Sequence, residues 1–122
     1  MILTPGAYLK HRRFDAGLAI EDVAYVLATD PRIAEHARAD WLRRIEADIV
    51  PLSFPTIVAL RRAFAFDPTV LVQLGLIQIG VEVEPPRLCS ICACSDLDPC
   101  RPPCRWEGAD LCSRCAPLVA AA

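Results

Sequence analysis

Seven cysteines carry most of the chemistry that this sequence offers, and all of them lie between residues 89 and 115. Cys89-Ser90-Ile91-Cys92 and Cys112-Ser113-Arg114-Cys115 are two Cys-x2-Cys pairs with nineteen residues between them. Two intervening residues let the backbone turn tightly enough for both sulfurs of a pair to reach one ion at ~2.3 Å. Two such turns then close a tetrahedron. The expectation is a zinc ion held by Cys89, Cys92, Cys112 and Cys115. Four thiolates leave no open position for substrate, so the metal is read as structural. Cys94, Cys100 and Cys104 remain. They are either ligands of a second zinc, completed by a shared thiolate, by water or by Asp96 or Asp98, or they are spare thiols. A binuclear cluster sharing sulfurs would use all seven. An iron–sulfur cluster is disfavoured, because Pro99 and Pro103 precede their cysteines rather than follow them.

Disulfides are the competing use of the same residues. An odd count argues against them, as does an N-terminus without the apolar core of an export signal. No run reaches the ~18 apolar residues of a membrane span, and the expected location is the cytoplasm. The tail offers few apolar residues beyond Ile91, Leu97, Trp106, Leu111 and Leu118. A segment that small normally needs a metal to fold, and zinc is expected to fold it independently of what precedes it.

What precedes it is helical in period. Glu84-Pro85-Pro86-Arg87 marks the boundary, since consecutive prolines cannot continue a helix. The division expected is a helical domain over 1–84, a linker over 85–88 and a cysteine module over 89–122. Thr4-Pro5 and Gly17 bracket a first helix, Pro5 to Asp15. Ile20, Val23, Ala24 and Leu27 form the stripe of a second. Asp30-Pro31 has the form of a cap followed by a first-turn proline, which predicts a third helix from there to about Asp48. Ser53 opens a fourth, with Ile57, Leu60 and Phe64 inward and Val58 a further inward candidate. Asp67-Pro68 opens a fifth, running through Val70, Leu71, Leu74 and Ile77. No stretch alternates as a strand would, so the fold class is all-α with a small irregular zinc-knuckle tail.

Four stretches carry a resemblance. They are Gly6-Ala7-Tyr8-Leu9-Lys10 with Arg13; Ala16-Gly17-Leu18 with Glu21-Asp22-Val23-Ala24; Arg44-Ile45-Glu46-Ala47-Asp48; and Thr56-Ile57-Val58-Ala59-Leu60 through Phe66-Asp67-Pro68. In this order they resemble the Cro/CI-type, lambda-repressor-like helix-turn-helix proteins of bacteria and phages, over roughly Gly6 to Gly75. The resemblance implies a five-helix domain whose third helix enters the DNA major groove. Two departures stand out. Ala19 and Ile20 replace the polar residues that cap the family's second helix and grip a phosphate. Residues 28 to 37 lengthen the turn before the recognition helix, either by extending that helix from Pro31 or by adding a helical turn before it. The string from Cys104-Arg105-Trp106 to Cys112-Ser113-Arg114-Cys115 also resembles cysteine-rich tails on such proteins, which implies zinc but no activity.

The function expected is a sequence-specific DNA-binding transcriptional regulator, acting as a homodimer on double-stranded DNA, with a structural zinc. Arg32, His36, Arg38, Arg43 and Arg44 are the candidate DNA contacts, with Arg38 and Arg43 foremost, because arginine suits guanine and phosphate. Their alternative is a solvated helix face. Trp41 is read as core or interface, and His11 and His36 as surface residues rather than metal ligands. The apolar surplus of the fifth helix, Val70, Leu71, Leu74, Ile77 and Ile79, predicts a dimer face. Thirteen basic against fifteen acidic residues, a net charge of −2, argue against a basic, charge-driven nucleic-acid binder and count toward the adaptor alternative. The alternatives are a protein-interaction adaptor on a repurposed helix-turn-helix fold and a thiol or metal sensor. No Ser–His–Asp set, phosphate loop or open metal site supports an enzyme.

Overall fold

A computed structural model describes residues 2–120. Six helices and one two-stranded sheet are formed among them: α1 (Pro5–Asp15), α2 (Ile20–Val26), α3 (Glu35–Glu46), α4 (Phe54–Ala63), α5 (Pro68–Gln78), β1 (Trp106–Gly108), β2 (Leu111–Cys112) and α6 (Ala116–Ala120). None of the helices is long and apolar enough to cross a membrane.

Local capping chemistry sets most of these boundaries. Thr4 Oγ1 accepts the Ala7 N–H at 3.2 Å and Pro5 fills the first turn, where no amide is needed. Ser53 caps α4 through the Thr56 N–H, and Asp67 caps α5 through the Thr69 N–H at 2.9 Å. Ala19 has no acceptor to offer α2. The helix compensates from inside, where the Asp22 carboxylate reaches back to the Ala19 N–H at 2.8 Å.

The third helix departs from the sequence expectation. Asp30-Pro31 does not open it; α3 begins at Glu35, and residues 27–34 form an irregular connection. That connection is held by polar side chains, one within it and one on α3. Thr29 Oγ1 accepts the Ile33 N–H at 3.1 Å. The Arg38 guanidinium donates to the Ile33 carbonyl at 2.6 Å and to the Ala24 carbonyl at 2.7 Å. Satisfied this way, the segment has no need of a helical turn.

One core joins the helices. Tyr8 and Leu9 of α1, Val23 and Ala24 of α2, Leu42 and Ile45 of α3, Leu60 of α4, and Val70, Leu71 and Leu74 of α5 are all buried in it. Trp41 is half-buried against this core. Leu60 of α4 and Phe64 just after it face inward as expected, whereas Val58 is exposed. Gly6 permits the closest approach, since a Cβ there would lie 2.5 Å from the Ile45 carbonyl oxygen. The backbone of α1 thereby presses on the end of α3, and the Gly6 N–H donates to Asp48 Oδ1 at 2.9 Å. Arg13 locks the same pair of helices with two bonds to Glu46, at 2.7 and 2.8 Å, in a half-dry setting where paired geometry counts.

The tail packs against the helical head. Ala93 is fully buried within the helical core, and Leu88 packs against it. Ser95 Oγ donates to Asp67 Oδ2 at 3.2 Å, and His11 Nδ1–H donates to the Ile91 carbonyl at 3.2 Å. Arg12, on α1 and 5% exposed, reaches Asp98 Oδ2 at 3.0 Å and the Cys92 carbonyl at 2.8 Å. The two regions that composition separates at residues 85–88 therefore share a core and a buried polar seam.

Candidate metal centre

Two tight turns aim the sulfurs inward. In the first, the Ala93 N–H donates to the Cys89 carbonyl at 2.9 Å and the Cys89 N–H to the Cys94 carbonyl at 3.1 Å. Ala93 sits at the left-handed φ of 61° that closes such a turn. In the second, the Cys115 N–H donates to the Cys112 carbonyl at 3.1 Å. The β1–β2 hairpin carries Cys112 and is braced from the linker. Arg87 stacks on Trp106, 4.1 Å from its ring centre, and donates to the Gly108 and Ala109 carbonyls. A reciprocal bridge between Ser95 and Asp98 shapes the loop leading to Cys100.

These turns bring the sulfurs into one nest. Cys89, Cys92, Cys94 and Cys112 lie within 4.8 Å of one another, as do Cys94, Cys100, Cys104 and Cys112. Individual separations are 3.9 Å for Cys92–Cys112, 3.7 Å for Cys94–Cys104, 3.8 Å for Cys92–Cys100 and 3.9 Å for Cys100–Cys112. A disulfide needs ~2.05 Å, and all seven cysteines are free. A tetrahedron of sulfurs at ~2.3 Å from a central ion has an edge of about 3.8 Å. The spacing found is thus that of thiolates around a metal ion, and the set fits one.

The spacing of the two pairs pointed to Cys115 as the fourth ligand beside Cys89, Cys92 and Cys112. The structure gathers Cys94 with Cys89, Cys92 and Cys112 in one set, and Cys115 is buried beside them with its thiol against Cys112 and Cys92. The reason is the turn at Ala93, which folds Cys94 back over Cys89. Neither aspartate offered for a second metal faces the sulfurs. Asp96 accepts from Trp106 Nε1 at 2.8 Å, and Asp98 is taken by Arg12.

Charge is unevenly spread over the nest. Burial pushes the Cys94, Cys100 and Cys115 thiols up, and neighbouring sulfurs add to the effect. Cys89 is also raised by burial, but hydrogen bonds from the backbone of Cys92, Cys112 and Ile91 outweigh this and bring it to about 6. At Cys104 burial is likewise overcome, by bonds from the Cys100 N–H and from neighbouring thiols. Without a cation, the local bonds favour the thiolate most at Cys89, and burial favours the protonated form at Cys94, Cys100 and Cys115. A bound ion would displace those protons.

The candidate DNA contacts fall into two groups. Arg32 and His36 are exposed, at the connection and on the first turn of α3. Arg43 and Arg44 are exposed and form ion pairs with Glu21 at 2.6 Å and Asp40 at 3.0 Å. Arg38 is not available to a groove. It is 3% exposed, with its guanidinium spent on the Ala24 and Ile33 carbonyls. The expectation that it leads DNA contact is corrected on that ground. Arg12 is the residue that sequence reasoning passed over; nothing local in α1 announces a partner 86 positions away. No protein-family model, curated protein or solved structure matches this chain.

Proposed function

We propose that the chain is a DNA-binding regulator of the lambda-repressor-like helix-turn-helix kind, with its cysteine tail clamped to the head by zinc. The observation carrying this reading is the Arg38 latch. It fixes the α2–α3 connection at both ends and leaves the outer face of α3, with His36, Arg43 and Arg44, turned to solvent. A recognition helix needs that rigidity and that free face. The ion pairs on it do not oppose DNA. Arg43 and Glu21 are 54% and 63% exposed, Arg44 and Asp40 59% and 58%. Exposed pairs contribute about 0–1 kcal/mol, so either guanidinium can exchange a carboxylate for a phosphate. Zinc suits the tail because soft thiolates at tetrahedral spacing select it.

Selection from a random duplex pool at low salt tests the reading. Enrichment of a sequence is expected, and the R43A/R44A double variant should lose the binding. Each phosphate contact removed should flatten the log–log salt dependence by about 0.9. No binding by the unmodified protein at low salt would overturn the DNA reading.

A second copy of the chain is proposed as partner. Val70, Leu71 and Leu74, expected on a dimer face, belong to the protein's own core. The surface that remains is a groove of about 440 Å³ between the end of α3 and α5. Ile49, Val72 and Ile79 line it, with Ile49 71% and Ile79 75% exposed. Sedimentation should show a dimer that I79E dissociates. A monomer at all concentrations would assign the groove to a different protein and favour the adaptor reading.

A further inference from the structure

Six of the seven sulfurs fall into two groups of four, and two sulfurs belong to both. Cys94 and Cys112 are common to the set with Cys89 and Cys92 and to the set with Cys100 and Cys104. Two tetrahedra that share an edge have this composition: six ligands, two centres, two corners in common. We propose that the tail holds two divalent ions of the zinc class, bridged by the thiolates of Cys94 and Cys112, with Cys115 outside the cluster. The proposal rests on the metal-binding reading above and goes beyond it in number, ligand assignment and bridging.

Sulfur supply favours the shared arrangement, and charge is compatible with it. Two separate four-sulfur sites would need eight cysteines, and the chain has seven. The aspartates that could make up the difference are engaged elsewhere, Asp96 with Trp106 and Asp98 with Arg12. The two shared sulfurs are deeply buried, Cys94 and Cys112 each 1% exposed, as are Cys89 and Cys115, and Cys104 is at the half-open edge. In edge-sharing tetrahedra with ~2.3 Å bonds the terminal sulfurs of different ions lie about 5 Å apart, so Cys92 and Cys100, 3.8 Å apart without metal, must separate as the two ions seat. A single ion on Cys89, Cys92, Cys94 and Cys112 would leave Cys100 and Cys104 packed against it with no ion of their own. Six thiolates with two divalent ions carry a formal charge of −2, the same as four thiolates with one, so the second ion adds no net charge. Arg12, through the Cys92 carbonyl, and Arg114, beside Cys100, supply positive charge next to the nest.

Native mass spectrometry of the full chain loaded with Zn²⁺, and separately with Cd²⁺, tests the proposal. Two ions per chain are expected. C115S should keep both, and C100S/C104S should fall from two to one. Cadmium NMR of the unmodified chain gives an independent readout that needs no variant to fold. The Cys94 and Cys112 β-protons should each couple to two cadmium resonances, and those of the other ligands to one. Saturation at one ion overturns the second site while leaving the zinc reading standing. Loss of an ion in C115S overturns the ligand assignment. Binding of no ion overturns both the proposal and the reading beneath it.

Discussion

A strong chelator is expected to lower the melting temperature of the helical head as well as unfold the tail, by roughly 10–20 °C. The seam between the two explains the size of the effect. Ala93 fills the head's core, Leu88 covers it, and Ser95 and Asp98 hold Asp67 and Arg12. The tail's own apolar residues are few, so without metal it has little to hold these groups in place. The head then exposes the surface beneath Ala93 and leaves the Arg12 guanidinium without its tail partners. A loss of about 2–3 kcal/mol follows from apolar exposure and broken polar contacts. Each kcal/mol shifts the midpoint of a 60–100-residue domain by roughly 4–8 °C. Thermal unfolding followed by helical circular dichroism, with and without chelator, measures it. The metal-loaded protein should melt in one transition. An unchanged head transition would mean that the tail is the independent module its composition suggests.

The contrast between composition and seam shows what was legible in the sequence. Thr4, Ser53 and Asp67 announced their helices because a cap acts on an amide two or three residues away. The same signature at Asp30-Pro31 misled. There the deciding group is the Arg38 side chain, which reaches back to Ala24 across fourteen positions. Cysteine spacing marked sulfurs that could hold a metal but did not place Cys94 among them, since spacing records only the reach of one turn. What brings Cys94 in is the left-handed backbone at Ala93, at a residue that seldom takes that conformation. The apolar run of α5 was read as one face too many because the number of neighbours around it was not known. Once α1 and the tail are in place, Val70, Leu71 and Leu74 are consumed by the core.

R12M is expected to cost about 3–5 kcal/mol, the range for breaking a buried ion pair by removing one partner. Arg12 serves three acceptors at once: Asp98 Oδ2 at 3.0 Å, Asp15 Oδ2 at 3.2 Å and the Cys92 carbonyl at 2.8 Å. Methionine retains much of the apolar stem, so lost packing contributes little. The loss comes from the two carboxylates, 15% and 12% exposed, that remain in the seam. Arg114 still covers Asp15, but Asp98 has no other cation within reach of its carboxylate among the described residues. R12M/D98N should therefore recover part of the stability, with a coupling of about 0.5–3 kcal/mol in a double-mutant cycle. Denaturant unfolding of the metal-loaded proteins gives all four corners of that cycle. R12K provides a further discrimination. Its single ammonium cannot span three acceptors in a fixed plane, so it should restore charge but little stability. A fully stable R12M would mean that the guanidinium merely decorates the seam. A stable R12K with a weak R12M would assign the effect to charge alone rather than to the fork that joins α1, Asp98 and the turn at Cys92.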